Sequence, residues 1–256
     1  MCLAVVALDA HPEYPLIIAA NRDEYHARAA APATWGREPP FVGILAGRDL
    51  LAGGTWLGVR GDGRWALVTN VRDGRGNDPA ARSRGELVPS VLNAQAPPGP
   101  SFAELGANPG RYNGFNLIAG DAGSAVWMSN RSVDVRCLSS GVHGLSNALL
   151  DTPWPKLVRT VDRFRYWTAH GDSDTAPLFS ALADRNQAPD DALPDTGVTC
   201  EWERLLSSPF IVGERYGTRC STVFTVDRRG RARFVERSFA PDGTPASETV
   251  EEFGTQ

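Results

Sequence analysis

The sequence predicts an α+β fold of antiparallel sheets flanked by helices, and three observations predict it. Two runs near the N-terminus, CLAVVALD and YPLIIAAN, are apolar almost throughout and rich in β-branched residues. Further strand patterns come in pairs around turn residues, which marks hairpins. Helical patterns lie mainly in the second half of the chain, so strands and helices are segregated instead of alternating.

The first two runs flank DAHPEY, a turn-prone stretch, and so form a hairpin. Continuous apolarity means that both faces of these strands are covered, as in the inner strands of a layered sandwich. RWALVTN follows the turn GDG, FNLIAG and SAVWMSN flank DAG, and STVFTVD and ARFVERSF flank RRGR. Helical periodicity appears in GELVPSVLNA, where Pro89 interrupts it, and in PWPKLVRTVDRFRYW, where Leu157, Val161 and Phe164 share one stripe. APLFSALADRN and EWERLLSS are shorter helical patterns. LPDTGVT and the tail PDGTPASETVEEFGTQ read as loop or frayed surface. No linker, charge block or repeat divides the sequence, so residues 1–256 are expected to form one domain.

Of the 256 residues, 42% are hydrophobic and 22% charged, enough apolar content to bury a sizeable core. The 26 basic and 30 acidic residues give a net charge of -4, which leaves no electrostatic footprint for nucleic acid. No apolar stretch approaches the roughly 20 residues of a membrane span. MCLAVVALDAHPEY lacks the basic region and cleavage site of a secretory signal, so the expected location is the cytoplasm. Cys2, Cys137, Cys200 and Cys220 contain no C-x-x-C pair, which argues against a zinc site and a disulfide framework. The last three are expected to be small buried residues.

The most unusual stretch is Asn21-Arg22-Asp23-Glu24, an amide, a guanidinium and two carboxylates directly after an apolar run. With a turn near Pro12, antiparallel pairing matches residues whose numbers sum to about 24, which brings this stretch beside Cys2. Cysteine is small enough for the initiator Met1 to be removed ahead of it. The product would carry a thiol and an α-amine on one residue. That is a nucleophile with its own general base, since the two groups titrate at about 8.5 and about 7.7–8.0 when unperturbed. Arg22 would favour the thiolate, Asp23 could hold the amine, and Asn side chains could donate to an oxyanion. The same residues also read as a solvated, ion-paired strand end, or as part of an oxygen-rich cation site whose other ligands nothing in the sequence fixes.

Further motifs follow in order: GGTWLGV (Gly53 to Val59), LVTN (to Asn70), SRGELV (Ser83 to Val88), YNGFNLI (Tyr112 to Ile118), GLSN (Gly144 to Asn147) and YGTRCSTV (Tyr216 to Val223). With the N-terminal MC and NRDE, this order resembles the NRDE family, also called the transport-and-Golgi-organisation type-two family, from Cys2 to about Asp227. That family is similar to N-terminal-nucleophile hydrolases of the penicillin V acylase and bile-salt hydrolase kind, which implies a four-layer αββα sandwich. Those hydrolases place an Arg and an Asp after the N-terminal Cys, near the end of the second strand, then an Asn late in the chain and a second Arg near its end. The resemblance assigns these places to Cys2, Arg22, Asp23, Asn147 and Arg219, with Asn70 as a second oxyanion donor. It implies a cysteine hydrolase acting on a small amide or thioester after Met1 removal. Asn21, Glu24, Trp56 and Arg84 are the candidate substrate-binding residues.

One departure stands out. In the hydrolases two residues separate the Arg from the Asp, whereas Arg22 and Asp23 are adjacent and would point to opposite faces of a regular strand. A bulge would reconcile them; otherwise Glu24, on the same face as Arg22, takes the amine-holding role. Family members have also been linked to secretory-pathway organisation, lipid and coenzyme A metabolism and haem movement, which implies the alternative of a haem- or lipid-metabolite-binding protein without covalent chemistry. His11, His26, His143, His170, Met128 and the cysteines are the possible axial ligands for haem. No haem-attachment motif is present, and no other cofactor or metal is expected.

Two other motifs carry paired readings. AGGTWLGVRGDG is neither a dinucleotide fingerprint nor a P-loop and precedes a strand, so its glycines serve turns, while its Trp56 is either core or the wall of a pocket. RSRGE, with Arg82 and Arg84, reads either as a site for an anionic substrate group or as a solvated helix entry.

Overall fold

The computed structural model describes residues 2–95, 102, 105, 109–171 and 173–255, with only the main chain at positions 2 and 109. In chain order its strands are β1 (Cys2–Leu8), β2 (Leu16–Tyr25), β3 (Ala30–Trp35), β4 (Ile44–Asp49), β5 (Leu57–Arg60), β6 (Trp65–Asn70), β7 (Phe115–Gly120), β8 (Ala125–Ser129), β9 (Val135–Cys137), β10 (Gly141–Leu145), β11 (Tyr216–Val226), β12 (Arg231–Phe239) and β13 (Pro245–Gly254). The α-helices described are α1 (Leu87–Asn93), α2 (Pro155–His170), α3 (Ala176–Leu182) and α4 (Cys200–Leu205).

Among the described residues the strands form two antiparallel sheets, one ordered β10-β1-β2-β11-β12-β13 and the other running β3 to β9 in sequence. The period of two along a strand explains how they stack. Ala4, Val6 and Leu8 of β1 and Leu16, Ile18 and Ala20 of β2 meet Leu57, Trp65, Leu67 and Trp127 of the second sheet in one core. The alternate residues Leu3, Val5, Ala7, Ile17 and Ala19 pack under α2 and α3. The far face of the second sheet is closed by Val88, Val91 and Leu92 of α1. Helix, sheet, sheet and helix form the expected αββα layering, and the apolar runs are apolar throughout because both of their faces are buried.

The predicted stripe of α2 is present, with Leu157, Val161 and Phe164 buried, and the helix ends at Gly171, whose φ of 66° is the left-handed conformation glycine adopts most readily. Pro89 does not break α1, because it falls in the first turn, where the missing N–H has no intrahelical acceptor to lose.

Four expectations need correction. Asn21 to Glu24 do not end the second strand, since β2 continues to Tyr25. They are not a solvated end either: Asn21, Arg22 and Asp23 are 1%, 5% and 1% exposed. The C-terminal tail is not frayed surface, because β13 pairs with β12 from Arg231–Gly254 to Phe239–Pro245. Of the three cysteines expected to be buried, only Cys220 is; Cys137 and Cys200 are exposed, on a short edge strand and at the start of α4.

Candidate functional site

The site begins with strand register. In the β1–β2 pair Cys2 lies opposite Arg22, as the turn near Pro12 predicts, and on the other side of β2 Cys220 lies opposite Arg22. The register of β10 on β1 runs from Leu8–Gly141 to Ala4–Leu145, and two further steps along it lead from Ala4 to Cys2 and from Leu145 to Asn147. Position 2, Arg22 and Asn147 thus gather at one end of the first sheet.

β2 stays regular through this region, and the bulge lies in β11 instead, between Thr218 and Cys220. Arg22 and Asp23 therefore face opposite ways. On the helix side, the Asn21 amide donates to the carbonyls of Leu182 (2.8 Å) and Pro209 (2.9 Å) and accepts from the Ser221 hydroxyl (2.6 Å). The Thr218 hydroxyl donates to the Asp23 carboxylate at 2.7 Å, and the Tyr216 hydroxyl donates to the Asp23 main-chain oxygen at 2.8 Å. Burial pushes the Asp23 carboxyl above the ordinary carboxylate range, while the Lys156 ammonium works in the opposite direction.

On the other face the Arg22 guanidinium lies over the Trp56 ring, 4.4 Å from its centroid. Its Nη1 is buried with no hydrogen-bond partner among the described residues. Trp56 is both core and wall: it packs against the inter-sheet cluster and lines a cavity of about 460 Å³. Gly47 makes room for it, since a Cβ there would meet the ring carbons at 2.4 and 2.5 Å.

That cavity brings together Arg22, Asp23, Glu24, Trp56, Asn70 and Arg84 of the sequence-derived candidates. Glu24 accepts from its neighbour Tyr25 N–H at 2.9 Å and lies 3.8 Å from Arg28, which is itself paired with Asp49 at 2.6 Å. Arg84 donates to the Gly114 carbonyl at 3.0 Å, whereas Arg82 is paired with Glu86 at 2.6 Å. An adjoining cavity of about 560 Å³ shares Glu24, Arg28, Asn70 and Arg84, and Tyr25, Trp202 and Tyr216 form an aromatic group along it.

Three candidates lie outside both walls. Asn21 is a packing clamp turned toward the helices and not a substrate contact. Asn147 is fully buried and donates to the Asn70 carbonyl at 3.0 Å, which ties the two sheets together at the site. Arg219 is the bulged residue and donates to the carbonyls of His26 (3.0 Å) and Tyr25 (3.4 Å), closing the end of β2.

The histidines and Met128 also lie away from the cleft. His11 accepts from the N–H groups of Glu13 and Tyr14 and stacks on Trp167, His26 bonds Gly213, His143 pairs with Asp151, His170 bonds Tyr166, and Met128 is buried under α1. The side chain of Cys2 lies outside the described residues. Among those described, no three His, Cys, Asp or Glu gather as a metal site, and no helix is long and apolar enough to cross a membrane.

Sequence reasoning missed Lys156 and the aromatic lobe. Lys156 carried a legible signal, since it shares a helical face with Thr160 and Phe164, where a charge is out of place. The aromatic lobe carried none, because Tyr25 and Tyr216 meet only through the long-range pairing of β2 with β11, and Trp202 is brought to them by α4.

A family model described as Transport and Golgi organisation 2 matches residues 1–241. The chain is 37% identical over 284 residues to the Transport and Golgi organization protein 2 homolog of Bos taurus, with 100% of each covered, and 36% identical over 258 residues to the Homo sapiens homolog, with 93% of each covered. Among solved structures it is similar to the C2A mutant of the conjugated bile acid hydrolase from Clostridium perfringens, with a TM-score of 0.50 and 9% identity over 100% of this chain and 98% of that one, a likeness of fold alone. The layering is thus that of the N-terminal-nucleophile hydrolases, and by its sequence the chain belongs to the Transport and Golgi organisation 2 family.

Proposed function

We propose that the protein is an N-terminal cysteine hydrolase acting on a small amide or thioester through Cys2, exposed by removal of Met1. The carrying observation is Arg22: a buried guanidinium, stacked on Trp56, with one Nη1 unsatisfied among the described residues, in register with Cys2 and on the wall of a cleft. A buried cation with a free donor is stabilised by an anion, and a thiolate or the oxyanion of an addition intermediate supplies one. The bile acid hydrolase of like fold was solved as a C2A mutant, which draws attention to the second position of this chain as well.

In this reading the Cys2 sulfur attacks the substrate carbonyl carbon and the α-amine takes the thiol proton. The amide of Asn70, on the cleft wall, supports the oxyanion, and Asn147 holds Asn70 in place through its carbonyl. The C–N or C–S bond then breaks, the departing amine or thiol leaves with that proton, and water hydrolyses the acyl-cysteine. With β2 regular, Glu24, on the same face as Arg22, takes the amine-holding place, and Arg219 fixes the strand end that carries them. The charged lobe with Glu24 and Arg84 suits a polar substrate group, and the aromatic lobe an apolar one.

A panel of amides and thioesters tests this. Turnover is expected for the chain lacking Met1 and is expected to vanish in Cys2→Ala; turnover that survives Cys2→Ala contradicts the proposal.

A further inference from the structure

The inter-sheet core changes character next to the cleft. In the second sheet the ladder partners Leu67, Ile118 and Trp127 belong to that core, and two residues further along their strands the partners are Thr69, Asn116 and Ser129, which are 2%, 0% and 1% exposed. A buried polar row needs hydrogen-bond partners. Ser129 finds one within its own sheet by donating to the Phe115 carbonyl at 2.7 Å. Thr69 and Asn116 instead reach the loop that follows β10, the edge strand of the first sheet. The Thr69 hydroxyl donates to the Ser146 carbonyl at 2.9 Å, and the Asn116 amide donates to the Ala148 carbonyl at 2.8 Å. The same Asn116 nitrogen donates to the Thr69 hydroxyl at 3.2 Å, which couples the two side chains. The amide oxygen of Asn116 is buried without a partner among the described residues. Turning the amide over would not relieve it, because the Ala148 carbonyl needs the donor.

Between those two carbonyls stands the fully buried Asn147, and it clasps the end of β6. Its side chain donates to the Asn70 carbonyl at 3.0 Å, and its own carbonyl accepts from the Arg72 N–H at 2.8 Å, so it grips the chain on both sides of Val71. Asn70, held in this way, lines both lobes of the cleft. We propose that Thr69 and Asn116 are positioning residues for Asn70: by holding the carbonyls on either side of Asn147 they fix the clasp that sets the Asn70 amide on the cleft wall. This rests on the reading of Cys2 as the nucleophile and Asn70 as the oxyanion donor. Loss of either side chain releases a carbonyl beside Asn147, the clasp loosens, and the Asn70 amide leaves the place where the oxyanion forms.

The test compares two reactions of the same thiol in the full chain. With p-nitrophenyl acetate the α-amine takes the thiol proton, the sulfur bonds to the carbonyl carbon, and the carbonyl electron pair moves onto oxygen; its return expels p-nitrophenolate and leaves acetyl-cysteine. The rate of release, less that of Cys2→Ala, reads a step that forms an oxyanion. With iodoacetamide the sulfur displaces iodide from a saturated carbon, and no oxyanion forms; the mass of the N-terminal peptide follows this reaction. In Asn116→Leu acyl transfer is expected to slow about tenfold, as for a donor moved off its place, while alkylation stays within about twofold. Asn70→Ala is expected to slow acyl transfer about a hundredfold. Adding Asn116→Leu to Asn70→Ala is expected to slow it no further, because residues that act through one donor do not add. Equal losses with both reagents, unchanged acyl transfer, or a full further loss in the double variant overturns the inference. If Asn116→Leu does not fold, Thr69→Val, which keeps the side-chain shape, carries the same comparison with the same outcomes. The two ideas fail differently: release in the parent no faster than in Cys2→Ala refutes the nucleophile and this inference with it, whereas parental acyl transfer in the folded variant refutes only the roles of Thr69 and Asn116.

Discussion

The two faces of β2 between Asn21 and Glu24 have the same kind of polar residues and opposite tasks. On the helix face Asn21 and Asp23 are tied to Leu182, Pro209, Ser221 and Thr218. On the sheet face Arg22 has an unsatisfied nitrogen among the described residues and Glu24 lines a cleft. One short polar run thus anchors the strand with its odd positions and equips a site with its even ones. Between Asn21 and Arg22, which are buried alike, hydrogen-bond satisfaction separates a structural polar residue from a candidate functional one.

Mutations sharpen the contrast. Asn21→Ala removes donors from two buried carbonyls and is expected to cost about 3 kcal/mol in chemical denaturation, the largest of these effects. Gly47→Ala drives a methyl group into the Trp56 ring and is expected to cost about 2 kcal/mol while shifting Trp56 fluorescence, so the platform under Arg22 depends on a residue in β4. Arg22→Met is expected to change stability by only about 1 kcal/mol, near the value of its cation–π contact, yet to slow Cys2 alkylation to that of an ordinary thiol. A large loss of stability with unchanged reactivity would reverse the assignment of the two faces.

A part-exposed ion pair, His143 with Asp151, provides the contrast with the buried Asp23. The hydrogen bond that His143 donates to the Asp151 carboxylate raises the His143 pKa, and burial lowers it less. Burial works against ionisation of Asp151, but His143 and the Gly144 N–H more than offset this and lower its pKa. The raised His143 value gives stability that is complete below its unfolded pKa, about 6.5, and is lost as pH rises through the folded value. The lowered Asp151 value gives stability that is complete above its unfolded pKa, about 3.9, and is lost as pH falls through the folded value. Both contributions are present together between roughly pH 4 and 6.5. With the Asp151 side chain 45% exposed, solvent screening holds the effect of His143→Gln below about 1 kcal/mol in thermal melts near about pH 5.5, and smaller still near about pH 9.

Much of this was legible in the sequence, for reasons that differ by residue. A turn near Pro12 and a period of two are enough to place Cys2 opposite Arg22. The stripe on α2 is equally local. β13 was not legible because it is an edge strand, polar on both faces; it is held by ladder bonds and by Phe253 against Trp35, a residue more than two hundred positions away. The role of Asn21 was not legible either, because its acceptors, Leu182 and Pro209, lie in distant segments. The charge on α2 was visible at Lys156, but its burial shows only when the helix is laid across the sheet.

Whether Cys2 is an activated N-terminal nucleophile is read most directly from the mass of the N-terminal peptide after brief alkylation of the untagged protein near neutral pH. The expected peptide lacks Met1, and its Cys2 is modified faster than the cysteine of a short unstructured peptide. A retained Met1, or a Cys2 no faster than that reference thiol, would contradict it.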